Sequence, residues 1–497
     1  MRVTVDWFAL TPVLAPALGA LLVLALDAVV PRARLAHLGV GLVALGAGAA
    51  VAGFGATRSE PLWSLCLEAP DGACLYGAGA MASVLQLCAL VAAAVVLLML
   101  IGDAWPARDS NAVSRDALRG GPAVAAALVL AATAGANAVV AAQDLGAWLV
   151  ALELATLPLI ALVALAASRE AIHGALTLLV TSVLSFSLLA LGVALWVVAT
   201  GSSTFATSGV RDAWSAPEQR LVLVTAVIVL LAGLGFKLSL VPFHAWTPTT
   251  YAGAAVPVTL TIATVSKIAA LGAVITVVRS LASVVQEPAA TAVVTAIAGV
   301  ALLSMLLGNL IALRQVDPVR LLAWSAVGQA GWVVLPLAAL TAAGADAAAG
   351  YLAAYVIATT VAFVVVHLVH GPVAAGAPQR ARELLHTGGL ARNHLVLGSL
   401  LVLALLALAG LPPGVIGLIA KVAALQPVVA AGLWPVAVVA VVGAVLGVAV
   451  YLRWVMILLG PGRSTGPLQR MPGSRLALLI AGAALVVTSV LPALVFR

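Results

Sequence analysis

Long apolar runs separated by short polar connections dominate the pattern of this chain. A helix needs about 20 apolar residues to cross a bilayer. Fourteen runs meet that requirement, at residues 9–30, 36–55, 80–102, 121–141, 144–167, 172–199, 221–243, 255–279, 290–313, 319–340, 347–370, 394–426, 433–459 and 475–495. Because a helix satisfies its own backbone hydrogen bonds in lipid, the pattern predicts an all-α polytopic membrane protein of about fourteen transmembrane helices.

Two of these spans are predicted to be broken. The run at 394–426 contains Gly410-Leu411-Pro412-Pro413-Gly414, and the seventh span ends in Pro242 shortly after Lys237. Proline removes a backbone donor and clashes with the preceding turn, so each helix is expected to break there.

The broken spans lie five apart, which predicts two five-helix repeats, spans 4–8 and 9–13. Five is odd, so the repeats are expected in opposite orientations, as in many transporters. The predicted organisation is three N-terminal helices, two repeats and a last helix, over residues 1–110, 111–285, 286–460 and 461–497.

The composition supports a membrane location and excludes several other classes. The chain is 64% hydrophobic and 8% charged, whereas soluble proteins carry about 25% charged residues. This excludes soluble globular domains, a disordered chain and a secreted disulfide scaffold. The net charge is +7, but the basic residues are too few and scattered to bind nucleic acid.

The lysines and arginines form two populations. The three lysines, Lys237, Lys267 and Lys421, all lie inside apolar segments, whereas most arginines lie in polar connections. A charge at the centre of a membrane helix costs about 2.5–3.5 kcal/mol, and a desolvated lysine, unlike arginine, can lose its proton. The lysines are therefore predicted to be functional; lysines that snorkel from helix ends are the alternative.

The arginines predict the orientation of the chain in a cell's inner (plasma) membrane. Fifteen lie in connections that follow odd-numbered spans, and six lie on the other side with the termini. The positive-inside rule then places both termini outside the cytoplasm. Cys66 and Cys74 fall in an outer connection, where a disulfide can form but is not required.

Ionisable residues within the spans are the candidates for chemistry. Glu153 lies well inside the fifth span, and Lys237 is its expected cationic partner. A static buried ion pair is the alternative to a functional one. His244 and His173 can pass protons near neutral pH or serve only as hydrogen-bonding residues. The residue types and spacings predict no metal or nucleotide site.

Four segments carry a family resemblance. FKLSLVPFHAWTPTTYAGAAVPVTLTIATVSKIAAL at 236–271 resembles the signature stretch of the antiporter-like membrane subunits of respiratory complex I, and is most similar to the subunit N branch. The supporting segments are LELATLPLIALVAL at 152–165, ALRQVDPVRLLAWSAVGQAGWVVL at 312–335 and LAGLPPGVIGLIAKVAAL at 408–425.

The resemblance implies roles for these residues. Glu153 and Lys237 are implied to form the carboxylate–lysine pair, Lys267 to be the central lysine, Lys421 the exit-side lysine, and His244 the histidine of the broken seventh helix. It further implies partner membrane subunits, with quinone, NADH, FMN and iron–sulfur clusters in the partners and none on this chain.

The sequence also departs from the family pattern. His173 stands near the place of a usual sixth-helix lysine. The other departures are Thr249 and Ala252 for acidic residues, Val319 for a lysine and Gln329 for a histidine.

The sequence thus predicts a proton-translocating subunit of an NADH–quinone oxidoreductase, with a buried Glu/Lys/His relay coupled to quinone reduction in partner subunits. Two alternatives stay open. One is a subunit of a multi-subunit sodium-type cation/proton antiporter, and the other is a structural membrane subunit that does not pump.

Overall fold

The computed structural model describes residues 3–31, 33–67, 73–102, 121–282, 284, 290–371, 383–461 and 471–496. The first half of the chain contributes helices α1 Trp7–Val29, α2 Arg34–Ala56, α3 Ala80–Gly102, α4 Gly121–Val139, α5 Leu145–Leu154, α6 Leu157–Ala164, α7 Arg169–Thr200, α8 Thr207–Ser215, α9 Pro217–Leu238, α10 Trp246–Gly253, α11 Val256–Ala263 and α12 Val265–Ala282. The second half contributes α13 Thr291–Ala312, α14 Pro318–Val334, α15 Ala342–His370, α16 Leu390–Asn393, α17 Leu395–Ala409, α18 Val415–Ala430, α19 Trp434–Leu459 and α20 Pro472–Val490. Short 3-10 turns span Leu335–Ala339, Leu384–Thr387 and Pro492–Leu494.

The predicted polytopic fold is confirmed. In the described part of the chain thirteen helices, counting α5–α6, α11–α12 and α14 with its 3-10 turn as one each, are long and apolar enough to cross a membrane. A helix pair bent by 119° at His394 raises the number to fourteen. Ten arginines used for the orientation lie outside the described residues, namely Arg2, Arg32, Arg108, Arg115, Arg119, Arg380, Arg382, Arg463, Arg470 and Arg497.

The predicted breaks in the seventh and twelfth spans are present. α9 ends at Leu238 and α10 starts at Trp246; α17 ends at Ala409 and α18 starts at Val415. The residues that follow α9 and α17, Ser239 and Gly410, have φ of 65° and 76°. This left-handed backbone stops a helix, and only glycine adopts it without steric cost.

Three features of the fold were not predicted. The fifth and eighth spans are each interrupted, between α5 and α6 and between α11 and α12. The short helix α8 follows the sixth span, with Val210 and Trp214 buried. A small antiparallel sheet joins strands β1 Val3–Thr4, β2 Leu62–Leu67 and β3 Cys74–Ala78 in that order.

The sheet carries the disulfide that the sequence left open. Cys66 and Cys74 face each other on β2 and β3 and are bonded. Cys88 is free and lies on α3.

Burial divides the helices into a core and a periphery. The most hydrophobic windows of α11–α12 and of α14 with its 3-10 turn are 94% buried, and that of α15 is 89% buried. The corresponding value for α7 is 28%, and apolar side chains such as Val180 and Val198 are exposed along it. The three lysines described below lie on or against the buried helices and are themselves buried.

Candidate functional site

The fifth and seventh spans meet in a buried ion pair. Lys237, in the last turn of α9, donates from Nζ to Glu153 Oε1 at 2.9 Å and to Thr156 Oγ1 at 2.9 Å. The lysine side chain is 5% exposed and the carboxylate 17%. The predicted pairing is therefore confirmed. The carboxylate lies nearer the protein surface than the lysine does.

A small cavity adjoins this pair. Its lining includes Lys237, Thr156, Ser266 of α12 and hydroxyl residues on α7, namely Thr181, Ser182 and Ser185. Its volume of about 20 Å³ holds about one ordered water. The Ser182 hydroxyl is buried without a hydrogen-bond partner among the described residues, which suits a water at this position. Hydroxyl groups of α7, rather than a lysine, thus face Lys237 from the sixth span.

Lys267, on α12, binds the broken end of α9. Its Nζ donates to the carbonyl oxygen of Lys237 at 3.3 Å and to Ser239 Oγ at 2.5 Å. The C-terminal end of a helix carries partial negative charge and free carbonyl groups, both of which favour a cation. The backbone carbonyl group of Lys237 itself therefore links the two lysines.

Ser239 is strained where it accepts from Lys267. Its φ of 65° is unusual for a residue with a side chain. Its hydroxyl also accepts from Thr247 Oγ1 at 2.5 Å. Strained residues held by their surroundings are typical of functional sites.

His244 lies in the break between α9 and α10, half-buried. Its ring faces Trp324 of α14, with the ring centroids 5.3 Å apart. No described hydrogen bond joins it to Lys237 or Lys267. The structure thus brings His244 to the boundary with the second half of the chain rather than to the ion pair.

Lys421, on α18, occupies the corresponding broken end in the second half. Its Nζ donates to the carbonyl oxygen of Ala409, the last residue of α17, at 2.5 Å. A Cβ at Gly410 would come within 2.7 Å of the Lys421 Cδ. Glycine is therefore required here both for its positive φ and for the approach of the lysine stem.

A polar network adjoins the helix end that this second lysine binds. Gln329 donates to the carbonyl oxygen of Leu408 at 3.0 Å and to the Tyr451 hydroxyl at 2.9 Å, and accepts from the Tyr351 hydroxyl at 2.6 Å. Tyr451 also shares a 2.6 Å hydrogen bond with Ser325. All these residues are buried.

The tyrosines of this network were missed by the sequence analysis. The chain has only five tyrosines, and Tyr351 and Tyr451 lie within transmembrane helices. Their scarcity and their place inside apolar spans are the same signal that identified the lysines.

The snorkelling alternative for the lysines is wrong. Lys237, Lys267 and Lys421 are 6%, 2% and 7% exposed, and all donate to groups inside the protein. His173 is different: it lies near the start of α7 with its side chain exposed, away from the row of buried groups.

The described residues offer no ligand set for an iron–sulfur cluster or a catalytic metal ion. An iron–sulfur cluster is held by cysteine thiolates, and two of the three cysteines form the disulfide. Among the described residues no group of three His, Cys, Asp or Glu side chains could hold a metal ion. What the arrangement offers is a row of proton-binding side chains held by carbonyl and hydroxyl groups.

Known proteins are similar to this chain in sequence and in fold. Residues 142–447 match the family described as "NADH:quinone oxidoreductase/Mrp antiporter, TM". The NADH-quinone oxidoreductase subunit N of Salinispora tropica is 40% identical over 470 residues, which cover 92% of this chain and 85% of the relative.

Two solved structures are similar over nearly the whole chain. A chain of respiratory complex I from Thermus thermophilus has a TM-score of 0.77 at 29% identity, with 98% of each chain covered. A chain of the Mrp complex from Dietzia sp. DQ12-45-1b has a TM-score of 0.78 at 20% identity, with 99% of this chain and 96% of that chain covered. The second likeness shows the fold alone. With a family match over more than half its length and a relative 40% identical over 92% of it, this chain belongs to the NADH:quinone oxidoreductase/Mrp antiporter family of transmembrane subunits.

Proposed function

We propose that this chain is the proton-translocating N subunit of a membrane-bound NADH–quinone oxidoreductase. The observation that supports it most is the Glu153–Lys237 ion pair, which the carbonyl group of Lys237 joins to Lys267 inside a bundle of apolar helices. The relative 40% identical over 92% of the chain carries the name of that subunit.

The proposed mechanism uses the ion pair as the loading point. A proton reaches Lys237 from water in the adjoining cavity, and the Glu153 carboxylate stabilises the resulting ammonium. When a rearrangement in a partner subunit draws Glu153 away, the ammonium loses its compensating charge. The proton then moves toward Lys267, which already contacts the Lys237 carbonyl.

The remaining residues continue this path. His244 lies in the break that leads toward α14 and is proposed to carry protons between the halves. Lys421 is the proposed exit-side lysine, at the end of α17. His173 is proposed to act only at the entrance, because its exposed side chain lies apart from the buried groups.

The two halves are proposed to be inverted repeats, at 111–285 and 286–460. Each half contains a broken helix whose first part ends on a left-handed residue, Ser239 or Gly410. In each half a lysine donates to a carbonyl at or next to that end.

The redox chemistry is proposed to take place elsewhere. NADH, FMN, iron–sulfur clusters and quinone would be bound by partner subunits of the same complex, and this chain would contribute only proton transfer. The complex is proposed to lie in the plasma membrane, with both termini of this chain on the extracytoplasmic side.

Replacing Lys237 tests the proposal. In the assembled complex reconstituted into liposomes, Lys237→Ala is expected to lower NADH-driven proton uptake and coupled quinone reduction while the complex still assembles. Arg220→Ala is the matched control, because it removes a cation at the opposite end of α9. Normal pumping by a fully assembled Lys237→Ala complex would overturn the assignment.

An antiporter subunit is the second candidate, because the matching family includes both kinds of complex. Neighbouring genes for quinone-reductase subunits or for antiporter subunits discriminate between them. So does sodium transport by the assembled complex: sodium-driven proton exchange without NADH oxidation would favour the antiporter.

A further inference from the structure

Two tryptophans face the two lysines that occupy broken helix ends. The Nζ of Lys267 lies 5.3 Å from the ring centroid of Trp246, and that of Lys421 lies 5.4 Å from the ring centroid of Trp332. Both distances are within the range of about 6 Å over which an aromatic face attracts a cation. The same arrangement therefore occurs once in each half of the chain.

Buried contacts hold each ring in place and connect it, directly or through other side chains, to the helix end that its lysine binds. The Trp246 indole N–H donates to the carbonyl of Phe236, in the last turn of α9, at 2.7 Å. Trp332 stacks on Tyr351, with ring centroids 6.0 Å apart and an angle of 4° between the planes. Tyr351 in turn donates to Gln329 at 2.6 Å.

Gln329 connects this second ring to its helix end. Its amide donates to the carbonyl of Leu408, next to the Ala409 carbonyl that accepts from Lys421. Trp332 and Trp246 are 1% and 3% exposed. Neither ring can turn aside without breaking these buried contacts.

Lys267 and Lys421 have different partners from those of Lys237. Lys237 has a carboxylate at 2.9 Å. Among the ion pairs of the described residues, none includes Lys267 or Lys421. Their ammonium groups are left with carbonyl oxygens, one hydroxyl and an aromatic face. A ring face attracts an ammonium group but not a neutral amine, and the attraction is stronger where water is excluded.

We propose that Trp246 and Trp332 are positioning residues that stabilise the protonated forms of Lys267 and Lys421 in place of a carboxylate. An ion pair with a carboxylate would hold the proton tightly, whereas a ring and a few dipoles hold it weakly enough to be released. This inference rests on the proposed function, because it assumes that the lysines carry protons.

Other titratable groups lie near each lysine. The Glu153–Lys237 pair on α5 and α9 lies beside Lys267. Beside Lys421, Tyr351 of α15 stacks on Trp332 and is linked through Gln329 to Tyr451 of α19, and Tyr355 lies one turn further along α15. The replacements below remove none of these groups, although Trp332→Leu also removes the ring that stacks on Tyr351, which Trp332→Phe keeps.

The test measures NADH-driven proton pumping against pH in reconstituted complexes carrying Trp332→Leu or Trp332→Phe. Leucine removes the ring face, so Lys421 is expected to hold its proton about tenfold less tightly. The alkaline limb of the pumping profile then moves about one pH unit toward lower pH. Phenylalanine keeps a ring face and is expected to move the limb less. Equal profiles for the two variants and the parent would overturn the proposal.

Two further variants separate this inference from the proposed function. If Lys421→Met pumps normally, the proposed function itself fails. If Lys421→Met stops pumping but the Trp332→Leu profile does not move, only the role of the tryptophans fails. Trp246→Leu must shift the same limb in the same direction, and it decides the question if Trp332→Leu complexes do not assemble.

Discussion

Neutralising Glu153 without removing its hydrogen-bonding ability is the sharpest perturbation of the ion pair. Glu153→Gln keeps an oxygen that can accept from Lys237 but removes the negative charge 2.9 Å from its Nζ. The Thr156 hydroxyl, also at 2.9 Å, stays in place. The variant therefore isolates the contribution of charge from that of packing and hydrogen bonding.

The size of the effect follows from the burial of the pair. Removing one partner of a buried ion pair costs about 3–5 kcal/mol. The amide oxygen retains part of this, and the carboxylate is itself 17% exposed. The loss for Glu153→Gln is therefore taken from the lower end of this range, about 3 kcal/mol. It corresponds to about a hundredfold decrease in the ratio of protonated to neutral Lys237.

The assay compares proton uptake with quinone reduction in reconstituted complexes. Glu153→Gln is expected to lower NADH-driven proton uptake strongly at neutral pH. Proton uptake by the variant is also expected to rise toward the parent value as the pH is lowered, because a higher proton concentration protonates the neutral Lys237. Asp144→Asn is the matched control: it makes the same acid-to-amide change on the same span, at the cap of α5, where Asn also serves.

Two outcomes would refute this reasoning. Parent-level pumping by an assembled Glu153→Gln complex would show that the charge is dispensable. A pumping defect that does not respond to pH would show that Glu153 acts in some way other than by holding the proton on Lys237.

Two further predictions follow from other contacts. Ser239→Ala removes the 2.5 Å hydrogen bond from Lys267, which is expected to destabilise the Lys267 ammonium by about 1.5–3 kcal/mol. Proton pumping is therefore expected to be slower than in the control Thr225→Ala, which removes an exposed hydroxyl. Equal pumping rates in the two variants would contradict this prediction. In a Cys88→Ala variant whose Cys66–Cys74 disulfide has been reduced, a membrane-impermeant thiol reagent is expected to label these two cysteines in intact cells. Labelling only after the cells are permeabilised would reverse the proposed orientation.

Much of the fold could be predicted from the sequence because lipid imposes a local rule. A span needs about 20 apolar residues, and a charged residue within one is costly. The spans, the breaks near Pro242 and Pro412, and the three buried lysines all follow from that rule. The smaller features, such as α8 and the three-stranded sheet, depend on packing against other elements, and no comparable rule predicts them.

The sequence suggested the Glu153–Lys237 pair, because a carboxylate inside a membrane span needs a cation, but only the tertiary structure decided the geometry of the ionisable residues. Glu153 and Lys237 lie 84 residues apart, and no local periodicity states which face of α9 meets α5. The sequence made His173 and His244 candidates for proton transfer, but the structure leaves the His173 side chain exposed and turns His244 toward Trp324.

Lys267 and Lys421 show most clearly what the sequence determined and what only the tertiary structure decided. The sequence by itself determined that three lysines enter the membrane and that two helices break, because both follow from the composition of single spans. Only the structure placed Lys267 and Lys421 on the broken helix ends, with Trp246 and Trp332 over them. Such contacts depend on how separate helices pack, and many sequences with the same apolar pattern could pack differently.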